Sequence, residues 1–159
     1  MRAIAIDEFG GPDKLRPMAL PRPRAEKGEV LLHVVAAGVN PVDWMIREGQ
    51  LKDAMPHRFP LIPGWDVAGV VEELGSGTTR FRKGDRVWAC ARKPVARWGT
   101  YAEYVNAAED CMALMPTKLL FEEAASATSP CNSPSTSAHA SSARVRARIS
   151  RSSSVSAPT

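Results

Sequence analysis

Between Gly38 and Asp85 this chain sets short apolar runs among closely spaced glycines, prolines and aspartates. It reads G-V-N-P-V-D-W-M-I-R-E-G, then P-L-I-P-G-W-D-V-A-G-V-V-E-E-L-G-S-G-T-T-R-F-R-K-G-D-R-V. Such punctuation leaves no room for long helices and favours short strands joined by tight turns, because Gly reaches positive φ and Pro and Asp set turn geometry. Met1 to Ile6 reads as a first strand closed by Gly10-Gly11-Pro12, and the Pro- and Arg-rich Leu15 to Glu29 as an extended edge segment. The nearly continuous apolar run Val30 to Ala37, rich in Val and stopped by Gly38, predicts a buried strand. Pro41 at a first turn and Gly49 beyond a last one frame a short helix over Val42 to Glu48. Asp66 to Leu74, Asp85 to Ala89, Tyr101 to Asn106 and Cys111 to Leu114 predict further short strands. The expected fold is mainly β with short helices, a partly closed β-barrel that protects its edges by curling.

Charge divides the chain in two. It has 21 basic and 17 acidic residues among 159, yet no acidic residue follows Glu123 while four arginines do, so the net charge of +4 belongs to the C-terminal stretch. From Ser126 onward there is no Phe, Tyr, Trp, Leu, Met or Lys, and Ser, Ala, Pro, Thr and Arg dominate. That composition cannot bury enough apolar area to offset ordering entropy. A domain over residues 1–125 and a disordered tail over 126–159 are therefore expected. The tail's bias is what a GC-rich gene read out of frame produces, which points to a frameshift or a misplaced gene boundary near Ser126. Arg144, Arg146, Arg148 and Arg151 lack interleaved aromatics and lysines, so no nucleic-acid partner is expected. The amino terminus has no apolar leader and the chain no apolar run of about 18 residues, which predicts a cytoplasmic protein with no membrane partner. Cys90, Cys111 and Cys131 are odd in number and widely spaced, as reduced thiols are.

The Asn-Pro motif in Gly38-Val39-Asn40-Pro41-Val42-Asp43, the run Gly64 to Val87, the segment Trp98-Gly99-Thr100-Tyr101-Ala102-Glu103-Tyr104 and Phe121 to Ala125 together resemble the N-terminal catalytic domain of medium-chain dehydrogenases/reductases. The resemblance is strongest to the zinc-independent quinone oxidoreductases, the zeta-crystallin-like branch, and implies a GroES-like barrel. In zinc-dependent relatives a cysteine stands in the place of Asn40 and a histidine in that of Trp65. An amide and an indole are not zinc ligands, so no metal is expected. The resemblance implies NADPH as cofactor and hydride transfer to a quinone or an enone. Asn40 would face the nicotinamide ribose or the substrate carbonyl, since an amide offers donor and acceptor without a charge to desolvate. Read without the resemblance, Asn40 is a turn residue capping the corner. Asp43 joins it as a catalytic candidate that also holds the turn near the positive end of the helix dipole.

Trp44, Met45 and Trp65 are the candidates for an apolar substrate wall, with plain core as the alternative. Met45 stands where many quinone reductases have a tyrosine, which leaves room for an enone or aldehyde. Arg92, Lys93 and Arg97 form a basic cluster, read either as a solvated loop or as a loop leaning over a cofactor phosphate. His33 in a strand and His57 in a loop are expected to be structural. After Ala125 the strand, Gly-rich turn and helix of a Rossmann domain do not follow. The chain is thus expected to bind NADPH weakly or not at all, and to be inactive alone. An apolar face left bare would invite a homodimer. A GroES-like binding or assembly module without catalysis is the alternative reading.

Overall fold

The computed structural model describes residues 1–126, so the tail expected from sequence lies outside the described residues except for Ser126. Nine strands and two short α-helices make up this part. They are β1 (Arg2–Ala5), β2 (Arg16–Ala19), β3 (Glu29–Ala37), α1 (Pro41–Arg47), β4 (His57–Ile62), β5 (Asp66–Leu74), β6 (Arg86–Cys90), β7 (Ala96–Trp98), β8 (Tyr104–Ala108), β9 (Met112–Leu114) and α2 (Phe121–Ser126). The fold is mainly β with short helices, as the punctuation implied. Ser126 closes α2, its hydroxyl donating to the Glu122 carbonyl at 2.9 Å.

An open antiparallel sheet in the order β8-β3-β5-β6-β9 forms the centre. Strand alternation sorts its side chains. Val30 and Leu32 of β3, Val67 and Val71 of β5, Val87 and Ala89 of β6, Val105 and Ala107 of β8 and Met112 of β9 meet Phe81 in one apolar core. The other face carries Ala68 and Trp88, which α2 covers with Ala124 and Ala125. Small residues are needed where this layer crowds. A Cβ on Gly38 would collide with the Ala125 carbonyl, and one on Gly69 with that of His33, beside the irregular register between Val34 and Ala36. Arg86 fastens the approach to α2, donating to the Leu119 carbonyl at 2.8 Å and stacking 4.6 Å over the Phe121 ring.

A second apolar cluster positions α1. Buried Ile6, Ile46 and Leu61 meet there, with Phe9, Val42, Met55 and Trp65 packed around them. Ile6 and Leu61 exchange backbone hydrogen bonds of 2.9 Å, which tie the end of β1 to β4.

Three expectations change in detail. His57 opens strand β4, which pairs in parallel with the three-residue β7, and does not sit in a loop. The last long strand starts at Tyr104, because Thr100 and Tyr101 donate their backbone N–H groups to Gly64 and Pro63. In Val30 to Ala37 only Val30, Leu31 and Leu32 are fully buried; His33 is exposed and Val35 is 47% exposed.

Leu32 is fully buried and Leu114 is 57% exposed. Leu32→Ala is expected to lower stability by about 2–5 kcal/mol and Leu114→Ala by less than about 0.5 kcal/mol. Urea titration of both variants checks this; equal losses would mean the sheet's core face is not the one described.

Candidate functional site

Strand β3 delivers the chain to Asn40, which is still extended at φ −121° and ψ 159°, and Pro41 then opens α1 with its φ already suited to a helix. Asp43, one turn on, reaches back. The Asn40 backbone N–H donates to Asp43 Oδ2 at 2.8 Å, satisfying an amide that the helix leaves orphaned. The Tyr101 hydroxyl donates to the same oxygen at 3.2 Å. Asp43 is only 3% exposed, and its second oxygen, Oδ1, is buried with no hydrogen-bond partner.

Burial pushes the Asp43 carboxyl up to about 6. The Asn40 N–H and Tyr101 hydroxyl pull the other way, and the nearby Asp66 charge adds to the rise. Tyr101 is itself pushed up, by burial first and then by the Asp43 charge and the bond they share. The corner thus holds a carboxyl near the border between its two protonation states, with Oδ1 as the oxygen left to carry a proton.

Asn40 is pinned from a second direction. Its Nδ2 donates to Asp66 Oδ2 at 2.7 Å, and the Gly38 N–H donates to the Asp66 carbonyl at 2.9 Å. A carboxylate only accepts, so the amide nitrogen faces Asp66 and the amide oxygen is turned away from it. The amide oxygen faces the Asp43 backbone N–H in the capping box of α1, so on this half-buried side chain the second Nδ2 hydrogen and one lone pair of the oxygen are left for a ligand.

Of the other candidates, Trp65 is half-buried in the Ile6–Ile46–Leu61 cluster, with the Arg92 guanidinium 5.2 Å above its ring. Gly64 before it has φ +95°, and a Cβ there would lie 2.6 Å from a Tyr101 ring carbon, so the turn admits glycine alone. Trp44 is 42% exposed and Met45 half-buried. Asn40 and Asp43 are joined directly, and Trp65 adjoins them through its neighbour Asp66. No side-chain hydrogen bond or ring contact among the described residues links Trp44 or Met45 to that set, which Trp44 joins through the backbone of α1.

Asp66 and Tyr101 are not among the candidates that the sequence singles out, yet they hold the two candidates in place. Both sit inside motifs already singled out, Gly64-Trp65-Asp66 and Trp98 to Tyr104, and that was the available signal. Among the described residues, no three His, Cys, Asp or Glu side chains gather closely enough to hold a metal ion. None of their helices is long and apolar enough to cross a membrane.

Residues 26–117 match the alcohol dehydrogenase GroES-like domain. The quinone oxidoreductase of Lama guanicoe is 42% identical over 128 residues, covering 79% of this chain and 36% of the relative. Among solved structures, the quinone oxidoreductase from Coxiella burnetii superposes with a TM-score of 0.72 at 37% identity, over 80% of this chain and 40% of that one. The Escherichia coli quinone oxidoreductase complexed with NADPH gives a TM-score of 0.71 at 28% identity, over 79% and 36% of the two chains. The chain therefore spans well under half the length of these relatives.

Asp43 takes up its proton near pH 6 in the fold, against an ordinary value of 3.8. Between those values the folded chain keeps a proton that the unfolded chain has lost. Stability therefore falls as pH rises through the window and is level above it, an effect on the order of 3 kcal/mol. Asp43→Asn keeps an acceptor for the Asn40 N–H and removes the titration. Urea midpoints of the native chain should drop between about pH 4 and about pH 7 by that much more than those of the variant. Parallel profiles would show that Asp43 is not the titrating group.

Proposed function

The chain belongs to the alcohol dehydrogenase GroES-like domain family, and from that membership we propose that it is the substrate-facing part of a zinc-independent, NADPH-dependent oxidoreductase that reduces a quinone or an enone. The observation that carries this reading is the amide of Asn40, fixed by Asp66 at 2.7 Å on one side and by the capping box of α1 on the other. The remaining lone pair of its oxygen suits a hydroxyl donor such as the nicotinamide ribose, and the second Nδ2 hydrogen suits a substrate carbonyl. NADPH, when bound, supplies the hydride. Asn40 orients, and Asp43 keeps Asn40 at the corner without touching the reacting atoms. Trp65 is the inner part of an apolar wall, with Met45 and Trp44 toward the rim. An amide and an indole at Asn40 and Trp65 suit direct hydride transfer better than chemistry on a bound zinc.

By itself the chain is proposed to bind NADPH weakly and to turn nothing over. Among the described residues, no strand runs through a turn of repeated glycines into a helix able to take a pyrophosphate. The relatives also extend far beyond the matched part.

Two measurements separate these claims. Titrating nicotinamide mononucleotide or phenanthrenequinone into isotope-labelled chain should shift the side-chain amide of Asn40 and the indole N–H of Trp65 in heteronuclear NMR spectra. Asn40→Ala should weaken that response by about tenfold, the loss of one or two hydrogen bonds. Shifts confined to other residues would refute the site. Calorimetry with NADPH should give no binding tighter than micromolar, and a submicromolar constant would overturn the proposal of weak binding.

A further inference from the structure

Between β6 and β7 the chain crosses Arg92-Lys93-Pro94-Val95 as a strap tied at both ends. Ala91 donates its N–H to the Trp65 carbonyl at 2.7 Å, and Ala96 donates to that of Pro56 at 2.9 Å. Among the described residues the four positions in between make no backbone–backbone hydrogen bond, and Pro94 has no N–H to give. Arg92, Pro94 and Val95 are exposed, so no buried apolar side chain pins the strap. Two side-chain contacts hold it instead. Lys93 Nζ donates to Glu29 Oε1 at 3.0 Å, with the two side chains 22% and 21% exposed. Glu29 is a fixed post for that contact, because its other oxygen accepts from Asn106 Nδ2, a buried side chain, and from the Glu26 N–H at 3.3 Å. The second contact is the Arg92 guanidinium, 5.2 Å over the Trp65 ring. A segment with unbonded backbone and few buried contacts opens at lower cost than the sheet it leaves.

We propose that Arg92 to Val95 form a gate over Trp65, with the Lys93–Glu29 ion pair as its latch. In the closed form the Arg92 guanidinium takes up the indole face that a flat substrate would use. In the open form the strap swings out between its tied ends, Arg92 passes into water, and that face is given to the conjugated ring of the ligand. Substrate and Arg92 thus compete for one side of Trp65, and the strength of the latch sets the fraction of chains ready to bind. Lys93 acts through the strap and is a positioning residue. The inference rests on the reading of Trp65 as the inner wall of the substrate site, and adds to it what controls access to that wall.

The test uses three variants of the full chain. Lys93→Met breaks the latch, Lys93→Arg keeps an ion pair with Glu29, and Arg92→Ser removes the cover itself. Two quantities are read by NMR: the relaxation of the Trp65 ring protons caused by a neutral gadolinium chelate in solution, and the affinity for phenanthrenequinone. In Lys93→Met and Arg92→Ser the relaxation at Trp65 should rise about threefold and the quinone should bind about fivefold more tightly. Trp88, which α2 covers, should keep its native relaxation in both. Lys93→Arg should match the native chain throughout. Native values of both quantities in Lys93→Met would show that the ion pair latches nothing and would overturn the proposal. Greater exposure of Trp65 with unchanged quinone affinity would reveal a strap that opens but guards no site, which overturns the gate and leaves the quinone site standing. Greater exposure with no quinone bound by any of the four chains would remove the reading of Trp65 as a wall, and the gate with it.

Discussion

The site hangs on one buried carboxylate. Asp43 receives the Asn40 N–H and the Tyr101 hydroxyl on one oxygen, so it joins the end of β3, the start of α1 and the segment leading to β8 at a single point. Asp66 makes the matching junction to β5 through the Asn40 side chain. Removing a charged group from water is costly unless hydrogen bonds repay it, and here they repay it only in part. The corner accepts that loss of stability near neutral pH and in return gains an amide whose orientation is fixed from two sides.

The chemistry around the corner is divided by charge. At Asn40 the exposed groups are neutral, which suits a reaction in which a hydride moves and little charge must be moved out of water. Cations lie near Trp65, where Arg92 stacks on its ring and Arg97 of β7 on that of Trp98, and among the described residues neither makes an ion pair with a carboxylate.

Much of this was legible before the structure. Strand β5 has the predicted bounds, because Val repeats between a leading Asp and a trailing Gly leave the register little freedom. Helix α1 is framed by Pro41 and Gly49, and Asn40 and Asp43 announce themselves by their place before and within it. Strand β4 was hidden by Pro60, which removes a ladder donor, and its partner β7 is three residues long. The start of β8 was misplaced because Thr100 and Tyr101 bond to the turn at Gly64, a tertiary effect without periodicity. The bonds Asn40–Asp66 and Asp43–Tyr101 link positions 26 and 58 residues apart, and no local pattern encodes them.

Gly64 separates what can drift in this domain from what cannot. Its positive φ and the Tyr101 ring in the space of its absent side chain exclude every other residue, and Tyr101 is in turn committed to Asp43. The frame of the site is thus locked as a set, since changing one member strands the others. Trp44, Met45 and the segment from Arg92 to Val95 ahead of β7 carry no such mutual obligation. Evolvability is concentrated there, and new substrate preferences are to be sought by exchanging those side chains while the glycine and its tyrosine stay untouched.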